Sequence, residues 1–177
     1  VKFQGKERKV YLTGEAYFKV AKNTEHPFVV TAGELEVLVT GTTFGVRAYK
    51  DEKDIQTTLE SGQVTVRVEG KSVKLVPNKQ VLFNKLTMGM EVRDVDVDLY
   101  LAWADGRLVY DNCPLEKILT DLGRWYNIDV FYSRDELRSY QFSLNMKKHE
   151  EFIQVLELIG KTGEVQFEVK DNTVIVR

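Results

Sequence analysis

Residues able to do chemistry are few and scattered in this chain. Its 177 residues include two histidines, His26 and His149, and one cysteine, Cys113. One thiol and two distant imidazoles do not make a zinc site of the usual Cys/His kinds. A lone cysteine forms no intrachain disulfide. Neither histidine lies in a nucleophile motif, so a hydrolase reading requires a pocket around His26 or His149. Paired carboxylates in a cleft would do glycosidase chemistry, but Glu34, Glu36, Asp51, Glu52 and Asp54 fall on strand exteriors or turns and read as solvated charge. Asp94, Asp96 and Asp98 alternate like a calcium loop, yet the sixth position, which needs Gly, is Leu99. Gly41-Thr42-Thr43-Phe44-Gly45 lacks the spacing and the Lys of a phosphate loop and reads as a turn between strands. Trp103, Trp125 and Tyr126 are aromatics of the kind that stack on sugars or anchor interfaces. Trp125 continues an apolar helix face and reads as core, whereas Tyr126 and Asn127 lie at a helix-to-strand corner. No catalytic set, metal set or cofactor motif emerges, and the expectation is a protein that is not an enzyme and holds no cofactor.

The elements that would position such residues change character along the chain. Residues 1–93 alternate with period two: Ala16, Phe18 and Val20; Leu35, Val37 and Val39; Phe44, Val46 and Ala48; Ile55, Thr57 and Leu59; Val64, Val66 and Val68. That period predicts strands with one buried face. Turn chemistry separates them at Thr13-Gly14, Ala32-Gly33, Ser61-Gly62 and Glu69-Gly70. The expectation is an all-β domain of about eight or more strands. Beyond Trp103, Leu115, Ile118, Leu119 and Leu122 have helical spacing, as do Phe152, Val155, Leu156 and Ile159. Helices are expected near 114–126 and 149–160, the first capped by Asn112 or Cys113 with Pro114 in its first turn. Short strands precede and follow each helix. A constant offset of 37 residues maps Leu115 to Phe152, Ile118 to Val155, Leu119 to Leu156, Leu122 to Ile159, Gly123 to Gly160, Ile128 to Val165, Val130 to Phe167 and Tyr132 to Val169. This predicts a duplicated β-α-β module.

The fold class is thus mixed: an all-β domain over 1–93, a linker over 94–103, and a small α+β domain of two β-α-β units over 104–177. Charge is near balance, with 25 Lys and Arg against 27 Asp and Glu. Residues 1–103 carry 15 basic and 14 acidic side chains, and residues 104–177 carry 10 and 13. No nucleic acid is expected as a partner, because a phosphate-binding face needs clustered basic excess. The chain starts at Val1 with residues that already alternate like a strand, so a piece of a longer protein is expected.

Gly14-Glu15-Ala16-Tyr17-Phe18-Lys19-Val20, Gly41-Thr42-Thr43-Phe44-Gly45-Val46 and Leu59-Glu60-Ser61-Gly62-Gln63-Val64, in that order, resemble the FecR family of anti-sigma factors. Trp103 to Tyr110, continuing through Pro114-Leu115 to Arg124-Trp125-Tyr126, resembles the C-terminal domain of Bacteroides-type members, which is similar to the secretin and TonB-receptor N-terminal (STN) domain. The resemblance implies the periplasmic region of a single-pass inner-membrane regulator without catalytic residues. It implies two partners: the periplasmic signalling domain of a TonB-dependent outer-membrane receptor, and a sigma factor bound through a cytoplasmic segment absent from this chain. The final strand, Thr173 to Arg177, is expected either at a sheet edge, where unpaired backbone groups can add a partner strand, or as a central strand fully paired within its own sheet. Val174, Ile175 and Val176, with Tyr126 and Tyr132 as aromatic anchors, are the expected partner-binding residues. The rival reading is a carbohydrate-binding β-sandwich, which requires a line of exposed aromatics on the all-β part.

Overall fold

The structure, a computed structural model, describes residues 6–147 and 152–177. His149 lies outside the described residues. The chain divides into two compact units, Val1–Leu101 and Ala102–Arg177. Among the described residues no helix is long and apolar enough to cross a membrane.

The period-two pattern produces the first unit. In β4 (Leu35–Val39) and β7 (Val64–Val68) every second residue is fully buried, on one face of the sheet. These strands lie in a five-stranded sheet of order β1-β3-β4-β7-β8, with β1 (Arg8–Tyr11), β3 (Phe28–Ala32) and β8 (Lys71–Leu75). A second five-stranded sheet has the order β10-β9-β6-β5-β2. Its strands are β2 (Gly14–Lys19), β5 (Thr43–Ala48), β6 (Asp54–Ser61), β9 (Lys79–Asn84) and β10 (Gly89–Asp94). Inner-face side chains of both sheets, Val30, Leu35, Val66, Phe44, Leu59 and Phe83 among them, form one core, as in a sandwich of two sheets packed face to face. Phe18 stacks on Phe44 at 5.1 Å and tilts against Phe28 at 5.6 Å, tying the two sheets through aromatic contact. No helix occurs among the described residues before Asp98.

The three N-terminal sequence segments meet at one corner of this sandwich. Val20 and Thr42 exchange backbone hydrogen bonds at 3.0 and 3.2 Å, and Thr42 Oγ1 donates to the Gln63 carbonyl at 2.9 Å. Gly62 has φ +92°, and a Cβ there would stand 2.8 Å from the Gly41 carbonyl oxygen. The corner therefore demands glycine both for its backbone conformation and for close approach. The turn itself falls at Thr40–Thr42, and Thr43–Gly45 already belongs to β5.

The expected linker is more ordered than alternation implied. Asp94 ends β10, and Asp98–Leu101 forms a short helix, α1. Asp96 opens that helix: its Oδ1 accepts the Asp98 N–H at 3.1 Å and its carbonyl accepts the Leu99 N–H at 3.1 Å. Local capping by an Asp side chain outcompetes the extended conformation that alternation suggests. Leu101 is buried against Gly45 on the outer face of the second sheet, a burial on the order of 1.5–3 kcal/mol.

The second unit pairs β11 (Arg107–Pro114) with β13 (Gln141–Lys147) in an antiparallel ladder, interrupted between Tyr110 and Cys113. A three-stranded sheet has the order β12-β15-β14, from Asp129–Tyr132, Thr173–Val176 and Phe167–Lys170. Helices α2 (Leu115–Tyr126) and α3 (Phe152–Gly160) contribute Leu115, Ile118, Leu119, Leu122, Val155, Leu156 and Ile159 to its core. The expected cap at Asn112 or Cys113 is wrong. Pro114 is the N-cap, without a side-chain cap bond, and the Leu115 N–H donates instead to the Tyr140 carbonyl at 2.7 Å. Pairing of Cys113 with Phe142 and Pro114 with Gln141 draws these residues into β11, so sheet pairing overrides the capping preference.

Burial agrees with the 37-residue offset at Ile118 and Val155, Leu119 and Leu156, Leu122 and Ile159, and Ile128 and Val165. A Cβ on Gly123 would lie 3.0 Å from the Ile128 carbonyl oxygen, and one on Gly160 would lie 3.8 Å from that of Val165, its counterpart. Each helix thus comes near the same point of the segment that follows it.

Gly62→Ala is expected to destabilise the first unit by roughly 1–3 kcal/mol, since a positive φ and a backbone clash both oppose it. Urea unfolding followed by far-UV circular dichroism checks this; an unchanged midpoint would show that the corner relaxes freely.

Candidate interaction surface

The expected partner-binding residues do not converge on one patch. β15 is the central strand of its sheet, parallel to β12 on one side and antiparallel to β14 on the other. Its backbone groups are taken on both sides, so of the two readings open from the sequence the paired central strand is the one formed, and the final strand offers no edge for strand addition. The reason is topological: Thr173–Val176 enters between two strands laid down earlier in the chain, a placement that alternation does not reveal. Val174 and Val176 are completely buried in the core of this unit.

Tyr126 and Tyr132 are half-buried against the same core. The Tyr126 ring lies 6.0 Å from that of Phe152, and burial raises its pKa. Tyr132 pairs with Val176 on the core side of edge strand β12, and the Arg138 guanidinium lies 4.1 Å from its ring centroid. Arg138 is held by Glu116 at 3.0 Å and Asp135 at 3.2 Å. Burial pushes the Tyr132 phenol up to about 12, against the pull of Arg138.

Ile175 points the other way. It pairs with Phe131 on β12 and Glu168 on β14, on the face of the sheet turned from the core. Phe131, 60% exposed, is the residue that sequence reasoning missed. The signal was present: alternation with Val130 and Tyr132 puts it on the opposite face from both. Around this pair stand Glu168, Lys170 and Arg177. Glu168 bridges Lys170 at 2.7 Å and also pairs with Arg177, and these cations hold its carboxyl below the ordinary range. Phe131 and Ile175 thus form an apolar pair bordered by charged side chains.

Other clusters are structural in geometry. Arg47, 7% exposed, lies among Glu15, Glu52 and Tyr49: Nε donates to Glu52 at 2.9 and 3.0 Å, Nη1 reaches Glu15 at 3.4 Å, and the guanidinium lies 5.0 Å from the Tyr49 ring centroid. Glu52, expected as solvated charge, is thus part of a buried ion cluster. Asp121 on α2 accepts from Tyr110 at 3.0 Å and pairs with Lys117 and Arg124, joining α2 to β11. Among the described residues no group of three His, Cys, Asp or Glu could hold a metal ion. His26 is exposed, and its backbone carbonyl accepts from Arg8 Nε at 2.8 Å. Tyr11 is the exposed aromatic among the described residues of the first unit, so the aromatic line a sugar-binding sandwich requires is not formed there.

Residues 1–65 match the model of the FecR protein family, and residues 107–176 match the model described as FecR, C-terminal. The chain belongs to the FecR family. FecR is a regulatory, non-enzymatic family. In fold, this FecR-family chain is similar to two crystal structures of a candidate anti-sigma factor from Parabacteroides distasonis ATCC 8503. Their TM-scores are 0.85 and 0.84, each at 23% identity over 99% of this chain and 82% of the other. No curated protein matches the chain. The FecR segments read from sequence are the ones that meet at the Gly41–Gly62 corner, so that signature records folding geometry.

The raised Tyr132 pKa carries a pH signature. Its ordinary value is 10.0 and the folded value is about 12. The contribution to stability is therefore present below pH 10 and is lost as pH rises from 10 toward 12. Tyr132→Phe is expected to flatten that alkaline loss, measured by urea unfolding at about pH 9 and about pH 11.5. An identical loss in the variant would show that the phenol is solvated in the folded protein.

Proposed function

We propose that this chain is the periplasmic sensor region of a transmembrane anti-sigma factor, relaying a signal by protein–protein binding. The observation that carries the reading is the succession of the FecR model and its C-terminal counterpart along one chain. The likeness of the whole fold to a candidate anti-sigma factor supports it. In this reading the first unit is a rigid FecR-like scaffold and the second is an STN-like receiving domain. The sigma factor is engaged by a cytoplasmic segment outside residues 1–177. The incoming partner is the signalling domain of a TonB-dependent outer-membrane receptor. It docks on the outer face of the three-stranded sheet, where Phe131 and Ile175 are the apolar anchors.

Isothermal titration with the signalling domains of the host's TonB-dependent receptors tests this. One receptor domain is expected to bind, and Ile175→Lys or Phe131→Ser is expected to weaken that binding at least tenfold, about 1.4 kcal/mol. The unfolding midpoint should stay nearly unchanged, since both side chains lie outside the core. Full-strength binding by both variants would remove the docking face. Failure of every receptor domain to bind would remove the relay.

A further inference from the structure

Helix α1 covers the outer face of the second sheet, and what lies beneath it is polar. A row of cross-strand neighbours runs across that face from Tyr17 through Gly45, Thr58 and Gln80 to Arg93. Gln80 is completely buried, an unusual place for an amide. Its hydrogen bonds continue along the row: Nε2 donates to Thr58 Oγ1 at 2.7 Å, and Oε1 accepts from Arg93 Nε at 2.9 Å. Arg93 then donates from Nη2 to the Tyr100 hydroxyl at 3.2 Å, and its guanidinium lies 5.6 Å from that ring. The apolar contribution of α1 centres on Leu101. Its Cδ2 stands 2.3 Å from where a Cβ on Gly45 would be, so the side chain occupies the space that glycine leaves open.

We propose that residues 96–101 form a strap that opens while the sandwich stays folded. The inner face of the same sheet is apolar, and exposing it would unfold the unit. The outer face is different. When α1 lifts, Gln80, Thr58 and Arg93 keep their bonds to one another and meet water as polar groups, and the largest loss of apolar burial is that of Leu101, beside the half-buried Val97 and Tyr100. The helix is one turn long, too short to be stable once detached. The Val95 N–H bond to the Asn78 carbonyl, at 3.0 Å, anchors the near end. Opening therefore turns residues 96–101 into free chain ahead of Ala102, with a reach of about 20 Å at ~3.4 Å per residue. This inference is independent of the proposed partner.

Amide hydrogen exchange by NMR on residues 1–177 tests it, under conditions where exchange reports opening equilibria. In the unaltered protein the Tyr100 and Leu101 amides, which donate to the Val97 carbonyl, are expected to exchange about 100-fold or more faster than the β5–β6 ladder amides. Leu101→Ala should raise the α1 rates about tenfold or more and leave the ladder rates unchanged. Gly45→Ala should act the same way by displacing Leu101. Equal exchange of α1 and ladder amides in the unaltered protein would overturn the proposal. So would a parallel fall of ladder protection in Leu101→Ala, which would make α1 an integral part of the sandwich.

Discussion

The second sheet of the sandwich carries α1 on part of its outer face, and the seat of that helix depends on the absence of a side chain at Gly45. Any Cβ at that position would intrude on Leu101. Phe44 and Val46, its neighbours in β5, point to the opposite face and belong to the core. One short segment, Phe44-Gly45-Val46, therefore serves two surfaces with different physics. Inward it supplies bulk to an apolar core. Outward it makes room for a helix whose contacts include Leu101 against Gly45 and Tyr100 against Arg93. The buried amide of Gln80 belongs to the same arrangement. An apolar residue there would take from Thr58 Oγ1 the donor it accepts from and from the Arg93 guanidinium its Gln80 acceptor, and unmet buried polar groups are costly.

Much of this architecture was legible in the sequence, for identifiable reasons. Strands such as Leu35–Val39 and Val64–Val68 bury one face only, so their alternation is unmistakable. Helices α2 and α3 carry wide apolar stripes. What could not be read was the effect of distant strands on local choices. Asn112 and Cys113 have the local chemistry of a helix cap, but pairing with β13 keeps the chain extended through Pro114. Asp96 fell in the expected linker over 94–103, and its capping role appears only once α1 is seated. The position of β15 between β12 and β14 is a matter of strand order, which no local pattern encodes. That topological fact removed the free edge, while alternation along the strand put Val174 and Val176 in the core and left Ile175 facing outward with Phe131.

The buried charges show how little composition says about their use. Arg47 with Glu15 and Glu52, and Asp121 with Tyr110, Lys117 and Arg124, are compact sets that would draw attention in an enzyme. Here each joins neighbouring elements: the first braces strands β2 and β5, and the second pins α2 to β11. Removing one member would leave another buried and unpaired, the costly outcome for such clusters.

The most direct check on this account is residue-resolved chemical-shift mapping of isotope-labelled residues 1–177 during addition of a receptor signalling domain that binds. The account predicts the largest shifts at Phe131 and Ile175 and at their neighbours Glu168 and Lys170, with the Phe44–Leu59 ladder unmoved. Shifts concentrated on the sandwich, with Phe131 and Ile175 unaffected, would contradict it.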